Sequence, residues 1–184
     1  LCVGMMAGVT ALAGAADFSR TGRDSITMRG PDVEGDVDKL RPLATRGTAL
    51  LRVNSDAGDP QAAMQLARLV RQLRLDIAID TVCAGSCALY VFPAALRKSI
   101  PADAVLALQE SAFLRARMDR VQMRRSLVDA GVAAEDLDSE TAALASQLAE
   151  TAAQEAAFAL ELGIAPAFYR DFRQVAAQAD SVRQ

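Results

Sequence analysis

The sequence predicts an α/β fold with a parallel sheet, and two observations support this prediction. Short apolar runs of strand length alternate with segments of helical periodicity through the middle of the chain, an order that is typical of β-α-β units with right-handed crossovers. The 184 residues are 52% hydrophobic and 23% charged, which provides enough apolar material for a core and excludes an intrinsically disordered chain. A chain of this length is expected to form one domain.

The first predicted elements are a strand, a helix, a second strand and a second helix. Strands are predicted at 24–30 and 47–54, with a weakly amphipathic helix at 34–45 between them. The next helix opens at Asp59-Pro60, because aspartate can cap a helix and proline suits its first turn. Its apolar positions follow the helical period and are Ala63, Leu66, Ala67, Leu69, Val70 and Leu73.

The pattern continues with a strand, a buried helix and a last short strand. We predict these elements at 75–82, 88–96 and 104–109. After Ser111 the chain is almost entirely helical, with breaks at glycine or proline. The three helices predicted there cover 111–130, 139–163 and 165–182.

The first 16 residues carry no charge and end in small residues. Ala13-Gly14-Ala15 matches the small-x-small pattern of a secretory cleavage site, and the apolar run is shorter than the roughly 20 residues of a membrane span. We therefore expect residues 1–16 to be the apolar part of a signal peptide, with a buried N-terminal helix or an uncleaved anchor as the alternative. The mature protein would be periplasmic or secreted, without an integral membrane span. Its α/β core would occupy 17–110, and 111–184 would form the helical C-terminal part of the same domain.

The composition excludes several classes of function. The chain has no histidine, so it cannot build a Ser-His-Asp triad, a Cys-His dyad or a histidine-ligated metal site. Its net charge of −3 offers no basic excess for nucleic-acid binding. We expect no metal and no cofactor.

Two cysteines, Cys83 and Cys87, lie four residues apart where a helix is expected to start. This spacing is close to the geometric limit for a disulfide. A disulfide, two packed thiols and metal ligands all remain open at this point, although no histidine or further nearby cysteine completes a metal site.

Two loops at the carboxyl ends of predicted strands form the candidate site. They are Asn54–Gly58 and Cys83–Ala88. Ligands bind at this edge of an open α/β sheet. The backbone N–H groups of these two loops would point into one cleft, as the donors of an oxyanion hole do, and the helix N-terminus at Ser86 would add a favourable dipole.

With these loops, residues 24–110 resemble the secreted bacterial Clp-protease-like proteins of the crotonase superfamily. The landmarks of that family are an Asn-Ser-Pro-Gly-Gly loop, a Cys-x-Ser-x-Cys-Ala helix start, and a strand that follows a Pro-x-Ala turn and ends in His-Gln. Here they correspond to Asn54–Gly58, to Cys83–Ala88, and to Pro101–Ala104 leading to Leu108-Gln109. The resemblance implies a spiral of β-α-β units with a parallel sheet and a helical C-terminal extension.

The resemblance also implies that both proton-transfer groups are missing. The family's nucleophilic serine falls on Gly85 and its base histidine falls on Leu108, whereas the oxyanion positions Gly58 and Ser86 are kept. It therefore implies a catalytically inactive homologue that binds a peptide or a protein partner and, on the family's precedent, forms a homo-oligomer.

The alternative is a serine hydrolase or peptidase with a rearranged site in which Ser86 is the nucleophile. Lys98 or Glu110 would then have to serve as the base. One step along a helix turns a side chain by about 100°, so Ser86 is instead expected to cap the helix or pack, with its side chain turned away from the cleft.

Overall fold

The computed structural model describes residues 15–109, 111–165 and 167–170, and within them six strands form one mixed sheet. In chain order the strands are β1 (Asp17–Arg20), β2 (Ser25–Arg29), β3 (Leu50–Ser55), β4 (Asp76–Ala84), β5 (Lys98–Ser99) and β6 (Val105–Ala107). The helices are α1 (Asp36–Leu43), α2 (Pro60–Gln72), α3 (Phe92–Ala94), α4 (Ala112–Arg115), α5 (Arg120–Asp129), α6 (Leu137–Leu162) and α7 (Ala167–Arg170). A π-helical turn, Cys87–Val91, leads directly into α3.

The centre of the sheet is formed by β2, β3 and β4, which run parallel and are connected through α1 and α2. The strand order is β1-β2-β3-β4-β5, with β1 antiparallel to β2. Both β5 and β6 pair with β4 in parallel, β5 near its start and β6 near its end. The predicted α/β class is confirmed, with a mostly parallel sheet followed by a long helix near the C-terminus.

Helix α2 supplies much of the apolar surface that covers the sheet. It begins as predicted, because Asp59 Oδ1 accepts a hydrogen bond of 2.9 Å from the backbone N–H of Ala62 and Pro60 occupies the first turn. Its inward face is almost completely buried and consists of Ala62, Ala63, Met64, Leu66, Ala67, Leu69 and Val70. The local capping signal and the helical period therefore agree with the tertiary packing.

Strand β4 is irregular where it passes the end of β3. Val53 pairs with Ile79, but Ser55 pairs with Cys83, so β4 advances by four residues while β3 advances by two. Asn54 Oδ1 accepts a hydrogen bond of 3.3 Å from the backbone N–H of Val82 within this bulge. Bulges re-aim the residues that follow them. Here the residues that follow are the ones predicted to form the site.

Helix α6 packs against α2 and joins the C-terminal part to the core. Arg68 Nε lies 2.7 Å from Glu161 Oε2, and its guanidinium lies 5.4 Å from the centre of the buried Phe158 ring. Arg71 donates a hydrogen bond of 2.9 Å to the carbonyl oxygen of Leu162. These contacts hold the C-terminal end of the long helix against α2. Within the described residues, no helix is both long and apolar enough to cross a membrane.

Two predicted helices differ from the observed ones. The continuous helix predicted at 111–130 is wrong, because it is divided into α4 and α5. Asp119 begins α5 with a capping box: its carboxylate accepts from the Gln122 backbone at 2.8 Å, and the Gln122 side chain accepts from the Asp119 backbone at 3.0 Å. The helix predicted at 88–96 is shorter and partly π-helical. Residues 1–14 of the expected signal segment and most of the predicted helix 165–182 lie outside the described residues.

Candidate functional site

A cavity of about 340 Å³, called the cleft below, lies at the carboxyl edge of β3 and β4. Gly58, Gly85 and Ser86 form its floor, and Gln109 lies beside them. The opposite wall comes from α4 and α6 and includes Arg115. The structure therefore brings together the two loops that the sequence assigned to one site.

Gly58 is the point of closest approach between these loops. A Cβ atom on Gly58 would lie 2.6 Å from both the backbone nitrogen of Asp32 and the Oγ of Ser86. Asp32 also binds this loop through its backbone, since its N–H donates to Ala57 at 3.2 Å and its carbonyl accepts from Asp59 at 2.8 Å. Only glycine fits at position 58 without moving one of these groups.

The hydroxyl of Ser86 faces a carboxyl group that the sequence analysis missed. Ser86 Oγ donates a hydrogen bond of 2.7 Å to Oδ2 of Asp32, and the two side chains are buried together. The Ser86 side chain makes no capping bond to the helix. The expected capping bond is therefore absent, whereas the expected packing of Ser86 is observed, with its hydroxyl buried against Asp32.

Asp32 is electrostatically unusual. Asp32 is completely buried, and its second carboxyl oxygen, Oδ1, has no hydrogen-bond partner among the described residues. Burial raises the pKa of Asp32 to about 7, and the nearby charges of Asp36 and Asp59 act in the same direction, while the hydrogen bond from Ser86 opposes them. A carboxyl group with such a pKa can exchange a proton near neutral pH.

A disulfide encloses the turn that carries Gly85 and Ser86. The structure joins Cys83 to Cys87, with their Cα atoms 5.4 Å apart and both residues fully buried. The bridge closes a very short loop, so it constrains this turn more than the whole chain. It holds the backbone of Ser86, whose N–H lies in the first helical turn and has no intrahelical acceptor.

The far wall of the cleft depends on a buried carboxylate on α6. Glu155 Oε1 accepts a hydrogen bond of 2.5 Å from the hydroxyl of Tyr90 and one of 3.0 Å from the backbone N–H of Ala112. Burial raises the pKa of Tyr90 far above its usual value, so its hydroxyl stays protonated and donates. Glu155 thus connects α6 to the start of α4 and to the residues below the cleft.

The other predicted site residues are placed differently. Leu108 is partly buried against the core, and the side chain of its neighbour Gln109 approaches Gly85 instead. Lys98 lies on β5 and donates to the carbonyl oxygen of Ala95, and burial lowers its pKa. It is not among the described residues that line the cleft. Glu110 lies outside the described residues.

Asp32 could have been found by the rule that located the other loops. It follows Gly30-Pro31 directly after the predicted strand 24–30, so it stands at the carboxyl end of the strand next to β3. Glu155 and Arg115 carried no comparable signal, because neither directly follows a predicted strand. Within the described residues, no group of three or more histidine, cysteine, aspartate or glutamate side chains is placed to hold a metal.

Comparisons with known proteins give a limited result. No family model matches the chain, and no curated protein sequence matches it. Among solved structures, it is similar to a probable enoyl-CoA hydratase/isomerase from Mycobacterium abscessus, with a TM-score of 0.39 and 9% sequence identity over 89% of this chain and 88% of that one. The fold and site define an α/β protein with a cleft at the carboxyl edge of a parallel sheet.

Proposed function

We propose that the chain is an exported Clp-protease-like protein of the crotonase superfamily that binds a peptide, or a segment of a protein partner, in the cleft. The observation that carries this proposal is the state of the nucleophile position. Gly85 has no side chain to attack a substrate, and the nearby hydroxyl of Ser86 is tied to the buried Asp32. The cleft has backbone groups that can bind a ligand, but it lacks the nucleophile and the base that the family uses for catalysis.

The lining of the cleft suits an extended peptide. Backbone at Gly58 and Ser86 and the side-chain amides of Gln109 and Gln147 can exchange hydrogen bonds with a peptide main chain. Apolar side chains from the π-helical turn and α6 offer a surface for its side chains, namely Leu89, Leu144 and Leu148. The cavity volume of about 340 Å³ lies within the usual range for ligand sites.

Binding of a fluorescein-labelled octapeptide library, followed by fluorescence anisotropy, tests this proposal. Thr151 lines the cleft from α6, whereas Ala149 is exposed elsewhere on the same helix. We expect Thr151→Trp to fill the cleft and abolish binding, and Ala149→Trp to bind as the native protein does. Equal binding by both variants, or no binding by the folded native protein, would contradict the proposal.

The Ser86–Asp32 contact favours a second candidate function, hydrolysis of an ester or peptide. Ser86 Oγ would attack the carbonyl carbon while Asp32 Oδ2 accepts the hydroxyl proton. The bond from the carbonyl carbon to the leaving group would then break, and the leaving group would take that proton. Water would release the acyl group from Ser86 by the reverse steps. A carboxyl group whose pKa is about 7 is about as basic as histidine.

Intact-mass analysis after exposure to a fluorophosphonate probe separates the two functions. If the probe forms an adduct on Ser86 of the native protein but not of the Asp32→Asn variant, the protein is a hydrolase, and the proposal that it binds peptides without catalysis is overturned. The absence of an adduct on protein shown to be folded would exclude Ser86 as an activated nucleophile. We expect the second result, because Ser86 is almost fully buried, with 6% of its surface exposed.

A further inference from the structure

We infer that the cleft recognises a carboxylate and that Arg115 is the residue that pairs with it. This inference rests on the proposed binding function and adds the chemical class of the ligand. It begins from the charge of the lining. Of the described residues around the cleft, Arg115 carries the one formal charge, and none is an aspartate or a glutamate.

Among the described residues, Arg115 has no partner that would use its charge. Its side chain makes no ion pair or hydrogen bond with the described residues, unlike the paired Arg52, Arg68 and Arg97. A guanidinium presents several N–H donors in a planar fork that matches the two oxygens of a carboxylate. A carboxylate is therefore the ligand group that this side of the cleft can bind best.

The backbone of Arg115 is held in place by the buried Glu155. Helix α4 starts at Ala112, whose N–H is bound by Glu155, and Ser111 caps the helix by accepting from the Leu114 N–H at 3.3 Å. Arg115 ends this short helix, and its own N–H donates to the Ser111 carbonyl at 3.1 Å. The base of the side chain is thus fixed relative to α6 before any ligand binds, which lowers the entropic cost of binding.

No acidic side chain is among the described residues that line the cleft. Two acidic groups lie behind this lining, and both are buried and hydrogen-bonded: Asp32 accepts from Ser86, and Glu155 accepts from Tyr90. Apolar side chains from the π-helical turn and from α6 also line the cleft. The expected ligand therefore has an apolar body and a free carboxylate. The C-terminus of a peptide and a small organic acid share this chemistry.

Fluorescence anisotropy with two forms of one probe tests the inference. The probe is a hexapeptide of alanine and leucine with fluorescein at its N-terminus, made once with a free C-terminal carboxylate and once as the amide. We expect the acid to bind at least about tenfold more tightly than the amide, which is the ratio expected for a charge-assisted bond. In Arg115→Gln the two forms should bind equally weakly. Arg125→Gln removes the same charge from an exposed position on α5 and should leave binding unchanged.

Octanoate, followed by thermal stabilisation, separates the two sources of the carboxylate. If octanoate stabilises the native protein but not Arg115→Gln, and neither peptide binds, the carboxylate site is supported and peptide binding is overturned. If the acid and the amide bind alike, the carboxylate inference is overturned while the binding cleft stands. If no probe binds folded protein, both are overturned. Circular dichroism establishes that each variant is folded.

Discussion

The hydroxyl of Ser86 and the carboxyl group of Asp32 form a buried hydrogen bond of 2.7 Å although they are 54 residues apart in the sequence. The bond links the chain after β2 to the chain after β4, and Gly58 after β3 lies between them. Three consecutive parallel strands of the sheet therefore meet at one point through residues just beyond their ends. The properties of this point can be tested one residue at a time.

The raised pKa of Asp32 predicts that stability falls as the pH rises. Asp32 has a folded pKa of about 7 and an ordinary value of 3.8, so the folded state keeps a proton that the unfolded chain releases. The stability that this bound proton gives the folded state is fully present below about pH 4. It is lost progressively between about pH 4 and 7, and it stays absent above pH 7. In thermal melts, Asp32→Asn should match the native protein near pH 4 and exceed it by several degrees at pH 8.

Asp56→Asn is the control for this experiment, because it removes an exposed carboxylate from the neighbouring loop. It should leave the pH profile of the native protein unchanged. A difference between native protein and Asp32→Asn that is constant from pH 4 to 8 would show that Asp32 does not titrate in this range.

Replacement of Ser86 by alanine should lower the free energy of unfolding by more than the loss of one small side chain would explain. Ser86→Ala removes the described hydrogen-bond partner of Oδ2, and Oδ1 already has none. We expect the free energy of unfolding to fall by about 1–3 kcal/mol, the usual cost of an unsatisfied buried polar group. Urea denaturation at pH 6 measures it.

A double-mutant cycle tests whether this cost belongs to the pair. Asp32→Ala/Ser86→Ala removes both polar groups, so the second substitution should be much less costly than Ser86→Ala alone. Additive effects of the two substitutions would mean that the hydrogen bond contributes nothing measurable.

Gly58→Ala should be strongly destabilising for steric reasons. The new Cβ would lie 2.6 Å from the backbone nitrogen of Asp32, which cannot move without breaking the contacts of that loop. Gly35→Ala is the matched control, since Gly35 has a φ of +91° but nothing within 4 Å of its Cβ position. Gly35→Ala should cost about 1–2 kcal/mol from backbone strain alone, and Gly58→Ala clearly more. Urea titrations that give equal costs would refute close packing at Gly58.

Removal of the Glu155 carboxylate should loosen the far wall of the cleft. In Glu155→Ala, Tyr90 and the N–H of Ala112 lose their shared acceptor. Hydrogen exchange should become faster in α4 while β2 and β3 keep their protection. Glu150→Ala, which removes an exposed carboxylate on the same helix, should change neither. Unaltered exchange in α4 would show that Glu155 does not hold that helix.

The sequence patterns predicted β2, β3, β4 and α2 well, because each is a local feature, whereas β1 and β5 were not predicted. Alternation of apolar runs marks β2, β3 and β4, and the Asp59-Pro60 start agrees with the helix that forms. The break between α4 and α5 was missed although Asp119 and Gln122 carry a local capping signal. Residues that favour helix formation lie on both sides of Asp119 and obscured this capping signal.

The chemistry of the site was harder to predict. The two loops that carry Gly58, Gly85 and Ser86 followed from the rule that ligands bind at the carboxyl edge of a parallel sheet, and the family resemblance singled out these three residues. The partner of Ser86 did not, because the bond to Asp32 depends on the spacing of three strands and on the bulge in β4. Glu155 contacts residues in two distant segments, and no sequence pattern connects them.

The position of Glu155 also sets the order in which the molecule can be assembled during synthesis. Its partners Tyr90 and Ala112 leave the ribosome 65 and 43 residues earlier. The parallel strands can therefore associate while α6 is still being translated, with Tyr90 uncovered and α4 unanchored. Until α6 is in place, the chain exposes surface that this helix covers in the folded protein, and such exposed surface favours aggregation.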